Sequence, residues 1–354
     1  MIQEIKFENY RCFKEFTLKD LKRVNLLVGK NSAGKTSILE GLSVLKNPGS
    51  LQTIFNILAD RTEYLDSKKD IFSIDGFFFG YEATITKQKI SINSKNYDSS
   101  EKESFVSYIA KSVKLSEQSN IKEIDSPVVI SLQPYFWDLE WDSLIGKAYG
   151  EIRIDSFGGV EGKKLNTQRP YDSNCKYLPS LSFHLTEIIK IYEEMIFTED
   201  ESLVVGALQL IDPTIQKVSP KGENMVVKKE GYNKPIMLGS FGEGIWRLLS
   251  LILGLVKSKD GTFIVDEIDM GLHHTIMEKM WDLILRTAEK LNVQVFASTH
   301  SNDCIQSLAS VIAEQPNQNH ESVSIQRIES GKTKSVSYSE KEIMAAAKND
   351  IEVR

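Results

Sequence analysis

The amino-acid sequence predicts an α/β fold in which a mixed sheet is flanked by helices. Three observations lead to this prediction. An apolar strand at 24–29 runs through a glycine-rich loop into a segment whose apolar residues recur at helical spacing. Two further apolar strands, within 261–269 and 293–301, each end in reactive side chains. Because the carboxyl ends of parallel strands meet at one crevice, we expect the three segments to build one ligand site.

Composition sets the outer limits. The chain has 354 residues, 41% hydrophobic and 26% charged, which suffices for a large core in one elaborate domain or two. The longest apolar run, 248–256, is far shorter than the roughly 20 residues that cross a bilayer, so no membrane partner is expected. Three scattered cysteines, Cys12, Cys175 and Cys304, favour a reducing cytoplasm over a disulfide framework or metal site. The net charge of −6 gives no global attraction for nucleic acid.

The loop at 29–36 has the pattern G-x-x-x-x-G-K-[ST]. In this pattern the glycines let backbone N–H groups surround phosphate oxygens, Lys35 neutralises the outer phosphates, and the Thr36 hydroxyl binds Mg²⁺. The helix from Thr36 adds the positive partial charge of its N-terminus. We therefore predict a P-loop NTPase with ATP and Mg²⁺ as cofactors, with GTP left open as an alternative. The predicted nucleotide-binding residues of this loop are Gly29, Asn31, Ser32, Ala33, Gly34, Lys35, Thr36 and Ser37.

Reactive side chains follow the two other strands. Asp266 suits an outer-sphere ligand of Mg²⁺, and Glu267 suits a base that polarises water. His300 follows the next strand at the same sheet edge and is expected to face the γ-phosphate, although a lone histidine is usually structural. The predicted catalytic residues are Glu267 and His300, and the predicted metal ligands are Thr36 and Asp266.

A fourth element opens the apolar helix after residue 242. Ser240, Gly242 and Glu243 can offer a hydroxyl, backbone N–H groups and a positive helix end to an anion. Taken alone, this stretch is a glycine-rich N-cap. In order and spacing with the other elements, it resembles the signature of an ABC-type ATPase head, which binds the ATP held by the opposite subunit. The resemblance implies a homodimer, or a higher homo-oligomer, closed around ATP.

The flanking sequence refines the resemblance. The segment "IKFENYRCFKEFTL" is similar to the start of RecF, SMC and OLD-type (overcoming lysogenization defect) ATPases, whose arginine at the position of Arg11 commonly approaches the nucleotide. A solvated strand-edge arginine is the alternative for Arg11. Segments such as "DEIDMGLHHTIMEKMWDLI" and "LNVQVFASTHSNDCI" resemble OLD-like AAA-type ATP-binding proteins of bacteria, which often occur in phage-defence modules. No D-x-D follows His300, so the resemblance is to an ATPase subunit without the Toprim nuclease domain.

Some positions depart from the family pattern. Phe241 stands where the ABC signature has its first glycine, and His273 stands where an aspartate usually follows the paired carboxylates. These departures imply slow or partner-gated hydrolysis. The glutamine that usually follows a strand between phosphate loop and signature is left open, with Gln133 and the strand at 176–180 as the two candidates.

The chain is predicted to form one nucleotide-binding core, residues 1–98 and 231–354, with an antiparallel β subdomain. Residues 99–230 are predicted to form an inserted, mainly helical lobe, based on the segment "SLSFHLTEIIKIYEEMIF". The tail is predicted to contain a hairpin around Ser330-Gly331 and then a short helix.

The favoured function is an ATP-hydrolysing switch whose dimerised heads gate a separate effector, such as a nuclease or toxin, in phage defence. A RecF-like DNA-repair or DNA-loading ATPase is the alternative, and a transporter subunit is a weaker third. DNA remains open as a partner, because only one lysine run hints at a basic groove and such a run is usually a solvated face. That run is Lys217, Lys221, Lys228, Lys229 and Lys234.

Overall fold

The structure is a computed structural model of the chain. It describes residues 1–47, 50–66, 71–72, 75–80, 89–96, 103–113, 129–138, 147–148, 150–154, 160–164, 174–314, 322–349, 351 and 353. Contacts divide the chain into two compact units. The antiparallel unit contains Met1–Asp20, Thr36–Asp172 and Ser330–Ser335, and the parallel unit contains Leu21–Lys35, Ser173–Glu329 and Val336–Arg354.

The strands and helices follow one another along both units. The strands are β1 (Ile2–Tyr10), β2 (Phe13–Leu18), β3 (Val24–Val28), β4 (Tyr64–Asp66), β5 (Ile71–Phe72), β6 (Lys89–Asn96), β7 (Glu103–Val113), β8 (Val129–Asp138), β9 (Lys147–Ala148), β10 (Gly150–Ile154), β11 (Val160–Lys164), β12 (Cys175–Leu178), β13 (Ile215–Lys221), β14 (Asn224–Lys229), β15 (Ile236–Met237), β16 (Thr262–Val265), β17 (Gln294–Ser298), β18 (Val323–Arg327) and β19 (Val336–Ser339). The helices are α1 (Lys35–Lys46), α2 (Leu51–Asp60), α3 (Leu185–Glu193), α4 (Glu201–Leu208), α5 (Glu243–Lys257), α6 (His274–Lys290), α7 (Asn302–Ala313) and α8 (Glu340–Lys348).

The antiparallel unit is built on an eight-stranded sheet. Its order is β11-β10-β8-β7-β6-β1-β2, with β9 added at β8. Helix α1 lies close to β1 at Gly41, where an added Cβ would be 2.5 Å from the Phe7 ring and 3.0 Å from the Tyr10 ring. Only glycine permits this approach without movement of the rings. The predicted antiparallel β subdomain is therefore present.

The parallel unit carries the six-stranded sheet β12-β16-β17-β3-β18-β19. Every neighbouring pair is parallel except β18 and β19. All residues of β3, β16 and β17 are buried, as expected for strands covered on both faces. Because these three strands are adjacent and parallel, their carboxyl ends lie side by side. The predicted α/β class with a mixed sheet is confirmed.

The range 99–230 differs from the prediction of a mainly helical lobe. Strands β7 to β11 belong to the antiparallel sheet, and among the described residues of this range only α3 and α4 are α-helices. The reason is compositional, since β7 and β8 are rich in the β-branched and aromatic residues that favour strands. Strand β12 also lies in this range but pairs with β16 in the parallel sheet. It is the strand proposed at 176–180, whereas Gln133 lies in β8.

The tail agrees with its prediction. Strands β18 and β19 pair antiparallel, and α8 follows with a capping box formed by Ser339 and Glu342. The three cysteines are free thiols. Among the described helices, none is both long enough and apolar enough to span a membrane.

Candidate functional site

The phosphate loop begins where β3 ends. Gly29 has φ +142°, and an added Cβ would lie 2.3 Å from the carbonyl oxygen of Ile328, so both conformation and space require glycine. Ser32 and Gly34 also have positive φ, +61° and +103°. Asn31 and Ser32 are exposed. Where residues with positive and negative φ follow one another, their backbone N–H groups point into one concavity, and this geometry binds anions.

Lys35, the first residue of α1, is held inside this loop. Its Nζ donates to the carbonyl oxygens of Gly29 at 2.8 Å and Lys30 at 3.1 Å. The residue is only 7% exposed. Burial lowers the pKa of Lys35, and the carboxylates of Glu267 and Asp266 act in the opposite direction. The ammonium group therefore lies within electrostatic reach of both carboxylates.

Three more predicted residues lie along the loop and the first turn of α1. Ala33 is buried, and Thr36 is the second residue of the helix. Ser37 is buried, and its Oγ accepts a hydrogen bond from Nη2 of Arg61 at 3.1 Å. Their contacts with nucleotide stay predictions.

Asp266 and Glu267 follow β16 and share one serine of β17. The Ser298 hydroxyl donates to Oδ1 of Asp266 and accepts from the backbone N–H of Glu267 at 2.9 Å. Glu267 has φ +50°, a left-handed conformation that costs a non-glycine residue about 1–3 kcal/mol. Burial raises the pKa of Glu267, and the nearby charge of Asp266 also raises it. A raised pKa is a property of many catalytic bases.

His300 contacts Glu267 directly. Its Nδ1 lies 2.6 Å from Oε2 of Glu267, and 57% of its side chain is exposed. The imidazole lowers the pKa of Glu267, opposing the effect of burial. The structure therefore brings together Lys35, Asp266, Glu267 and His300 at the carboxyl edge of the parallel sheet. Their catalytic roles stay predictions.

The predicted signature residues lie where α5 begins. Ser240 is in a single 3₁₀ turn, Leu238–Phe241, and Gly242 is the N-cap with φ +85°. Ser240, Gly242 and Glu243 are exposed, and no side chain caps the helix. The serine hydroxyl is thus not the cap of this helix, and the first turn presents backbone N–H groups to the surroundings.

Arg11 is buried, so the alternative of a solvated strand-edge arginine is wrong. Its Nη1 donates to Oε1 of Glu63 at 2.5 Å and to the carbonyl of Gly76 at 3.1 Å. Its Nε lies 3.3 Å from Oε2 of Glu40, and the guanidinium stacks 4.4 Å from the centre of the Phe77 ring. The turn between β1 and β2 places Arg11 beside two carboxylates that sequence reasoning did not connect with it. Contact with a nucleotide stays a prediction.

Sequence reasoning missed Arg247 of α5, which is 2% exposed. Its Nη1 donates to the carbonyls of Pro179 and Leu181 at 3.0 and 3.1 Å. Its Nη2 donates to the carbonyls of Asp266 and Glu267 at 2.6 and 2.7 Å. Burial lowers the pKa of Arg247 to about 10. The signal in the sequence was a single charge inside the apolar run "IWRLLSLILGLV".

The donor chemistry of the site fits a nucleoside triphosphate and Mg²⁺. The loop concavity and the buried ammonium of Lys35 match phosphate oxygens, and the Asp266 carboxylate is the hard oxygen ligand that Mg²⁺ prefers. Among the described residues, no group of three or more His, Cys, Asp or Glu could hold a metal ion by itself. Mg²⁺ usually takes only one or two protein carboxylates and completes its shell with phosphates and water.

Comparison with known proteins shows which family the chain belongs to. A family model described as "AAA domain, putative AbiEii toxin, Type IV TA system" matches residues 24–303. An ATP/GTP phosphatase of Helicobacter pylori is 23% identical over 342 residues, which cover 89% of each chain. The Septu protein PtuA of Bacillus thuringiensis is 22% identical over 328 residues, 87% of this chain and 74% of that protein. The SMC head domain from Thermotoga maritima has a TM-score of 0.45 and 12% identity, with 96% of this chain and 98% of that chain covered. Because the matching model covers most of the sequence, the chain belongs to its AAA domain family.

Proposed function

We propose that this protein binds and hydrolyses ATP with Mg²⁺, and that the nucleotide state controls its assembly. The observation that carries the proposal is the meeting of Lys35, Asp266, Glu267 and His300 at one sheet edge. The name of the Helicobacter pylori relative, ATP/GTP phosphatase, supports a phosphatase reaction on a nucleoside triphosphate.

Each side chain would have a distinct task. Lys35 would exchange its carbonyl partners for the outer phosphate oxygens and neutralise their charge. Asp266 would hold Mg²⁺ together with phosphate oxygens, and Thr36 is a ligand by its place in the motif. When bound, Mg²⁺ would neutralise charge on the phosphates.

Glu267 would act as the base. It would take a proton from a water molecule whose oxygen attacks the terminal phosphorus, which breaks the bond to the bridging oxygen and releases ADP and phosphate. His300 would orient Glu267 through the contact at 2.6 Å and would face the terminal phosphate.

Binding is tested by equilibrium dialysis of Lys35→Ala. We expect loss of tight ATP binding and of phosphate release without unfolding, because the lysine supplies charge rather than core packing. Lys279→Ala, on the exposed face of α6, is the matched control. Unchanged ATP affinity in folded Lys35→Ala would remove the phosphate-loop assignment.

We further propose that two copies close around ATP. The exposed Ser240 and the uncapped N–H groups near Gly242 would bind the terminal phosphate held by the second copy. Light scattering of Glu267→Gln with ATP should then show a dimer, because hydrolysis no longer opens it. Adding Ser240→Arg should abolish the dimer, whereas Ser202→Arg, at an exposed position of α4, should not. If neither ATP nor Ser240→Arg changes the assembly state, the stretch from Ser240 to Glu243 is only the start of a helix.

We propose that the closed state gates a separate effector, such as a nuclease or toxin, in anti-phage defence. This is supported by the similarity to Septu protein PtuA and by the toxin description of the family model. Purified protein should hydrolyse ATP without cutting DNA or RNA. Nuclease activity that survives repurification and depends on Glu267 or Asp266 would contradict a separate effector.

One observation favours DNA binding as a second candidate function. Lys217 of β13 and Lys228 of β14 are directly opposite and both exposed, and Lys221 lies on the same face. Like charges directly opposite are unfavourable unless an anion neutralises them. Replacing Lys217 and Lys228 by glutamate should weaken salt-dependent DNA binding, compared with the same change at Lys279 and Lys290 of α6. If the two double variants bind DNA with equal affinity, the lysines only form a solvated face.

A further inference from the structure

Arg247 occupies a position in α5 where an apolar residue would be expected. The residues on either side along the buried face of α5, Leu248, Leu251 and Leu255 among them, are fully or almost fully buried. The guanidinium is buried with them, and all four of its hydrogen bonds described above go to backbone carbonyls. Its Nε is also buried and has no hydrogen-bond partner among the described residues. Burying a charge opposite neutral carbonyls costs free energy, so packing alone does not explain this arginine.

Two of the four carbonyls that Arg247 contacts belong to Asp266 and Glu267, the segment with the catalytic candidates. Both backbone polar groups of Glu267 make hydrogen bonds. Its N–H donates to Ser298 Oγ at 2.9 Å, and its C=O accepts from Arg247 Nη2 at 2.7 Å. These two bonds bracket the residue with φ +50°. A left-handed glutamate persists only where its surroundings fix it. Arg247 and Ser298 supply two of the hydrogen bonds that do so, and the backbone N–H of Met270 donates a third to the Glu267 carbonyl at 3.0 Å.

The same guanidinium reaches a second loop. Nη1 binds the carbonyls of Pro179 and Leu181, directly after β12, while Nη2 binds those after β16. The planar fork of arginine can serve both loops at once, whereas the ammonium of lysine is a compact donor without this geometry. One side chain of α5 therefore ties together two adjacent strand ends of the parallel sheet.

We infer that Arg247 is a positioning residue that sets the backbone at Glu267 from helix α5. Arg247 lies one turn after Glu243, on the face reached by i and i+4 spacing, so the exposed start of α5 and the guanidinium belong to one rigid helix. A displacement of that helix start, where we propose that the second copy's nucleotide binds, would move Glu267 through two hydrogen bonds. The inference rests on the proposed role of Glu267 as the base.

The test compares Arg247→Lys and Arg247→Gln with wild type in steady-state hydrolysis and in ATP binding. We expect kcat to fall about 10- to 100-fold, the scale for a base displaced by roughly 1 Å, with ATP affinity unchanged because the phosphate loop is not altered. Arg286→Lys, at an exposed site of α6, should leave both quantities unchanged. A uniform loss of stability would lower affinity and kcat together.

A double-mutant cycle separates positioning from a general structural effect. In the Glu267→Gln background no base remains to be positioned, so Arg247→Lys should cause no further loss of residual hydrolysis. Wild-type kcat in Arg247→Lys, or full additivity with Glu267→Gln, would overturn the inference. So would failure of both Arg247 variants to bind ATP, since the residue would then be structural. If Glu267→Gln alone leaves hydrolysis unchanged, the proposed base fails independently of any result on Arg247.

Discussion

Two buried arginines, one in each unit, have opposite surroundings. Arg11 in the antiparallel unit lies against the carboxylates of Glu40 and Glu63. Burial by itself lowers the pKa of Arg11, but its neighbours, Tyr10 and Glu40 foremost, raise it above the ordinary value. Arg247 in the parallel unit binds main-chain carbonyls instead, and burial lowers its pKa to about 10.

The difference separates two uses of a buried charge. Around Arg11, opposite charges compensate one another, and Glu40 joins a second arginine, Arg61, at 2.6 Å. Loss of one partner there leaves an uncompensated charge and should appear as lost stability. Around Arg247, every described hydrogen-bond partner is a backbone carbonyl, and two of the four belong to Asp266 and Glu267. A change there should therefore appear in the rate of the reaction.

The largest effect should come from Glu267, the proposed base. Glu267→Gln keeps the size of the side chain but removes proton acceptance, so kcat for ATP hydrolysis should fall by at least about 100-fold. ATP affinity should survive. Phosphate release and equilibrium dialysis measure the two quantities, and Glu278→Gln on the exposed face of α6 is the control. Wild-type hydrolysis by Glu267→Gln would contradict the proposed role of Glu267 as the base.

The next effect concerns stability around Arg11. Glu40→Gln leaves Arg11 and Arg61 without the charge of their shared partner, and breaking a buried pair costs about 3–5 kcal/mol. Because 31% of the Arg61 side chain is exposed, we expect the lower end of this range. Denaturant unfolding measures the change. Glu15→Gln removes a solvent-screened pair with Lys6 and should change the free energy of unfolding far less. Equal effects of the two substitutions would show that the Arg11 network does not contribute stability.

The smallest effect should be a displaced pH profile. His300→Asn removes the ring that lowers the pKa of Glu267, so that pKa should rise further above its ordinary value. A base works above its pKa and is lost as pH falls through it, so the acid limb of kcat should move to higher pH. His184→Asn, at an exposed site before α3, is the control. An acid limb that stays in place or moves to lower pH would contradict the electrostatic role of His300.

Much of the site could be predicted because its signals are local in sequence. The phosphate loop, the carboxylates after β16 and the histidine after β17 each join a buried strand to a fixed short motif. Arg247 could not be assigned because its partners are main-chain carbonyls, and two of them lie 66 and 68 residues away. Side-chain chemistry gives no sign of such contacts.

The fold was predictable to a similar extent. The mixed sheet and the antiparallel β subdomain followed from apolar runs and alternation. The lobe at 99–230 was misjudged because one strongly amphipathic helical segment outweighed the strand-forming residues of β7 and β8. The choice between the two alternatives for Arg11 stayed open in the sequence for a related reason, since its carboxylate partners Glu40 and Glu63 come from α1 and from the chain after α2.

The Ser298 hydroxyl fixes the direction of the hydrogen bonds at the carboxyl edge of the parallel sheet. A hydroxyl has one proton to donate, and here that proton goes to Asp266, while the lone pairs accept from the Glu267 N–H. The chain of hydrogen bonds therefore runs one way, from the main chain of one acidic residue to the side chain of the other. Threonine could replace the serine and keep this direction. Asparagine would introduce two donors and a separate acceptor, and alanine would leave the N–H of the strained glutamate without its acceptor. A protein engineer who transplants this site onto another scaffold must carry the hydroxyl along with the two acids.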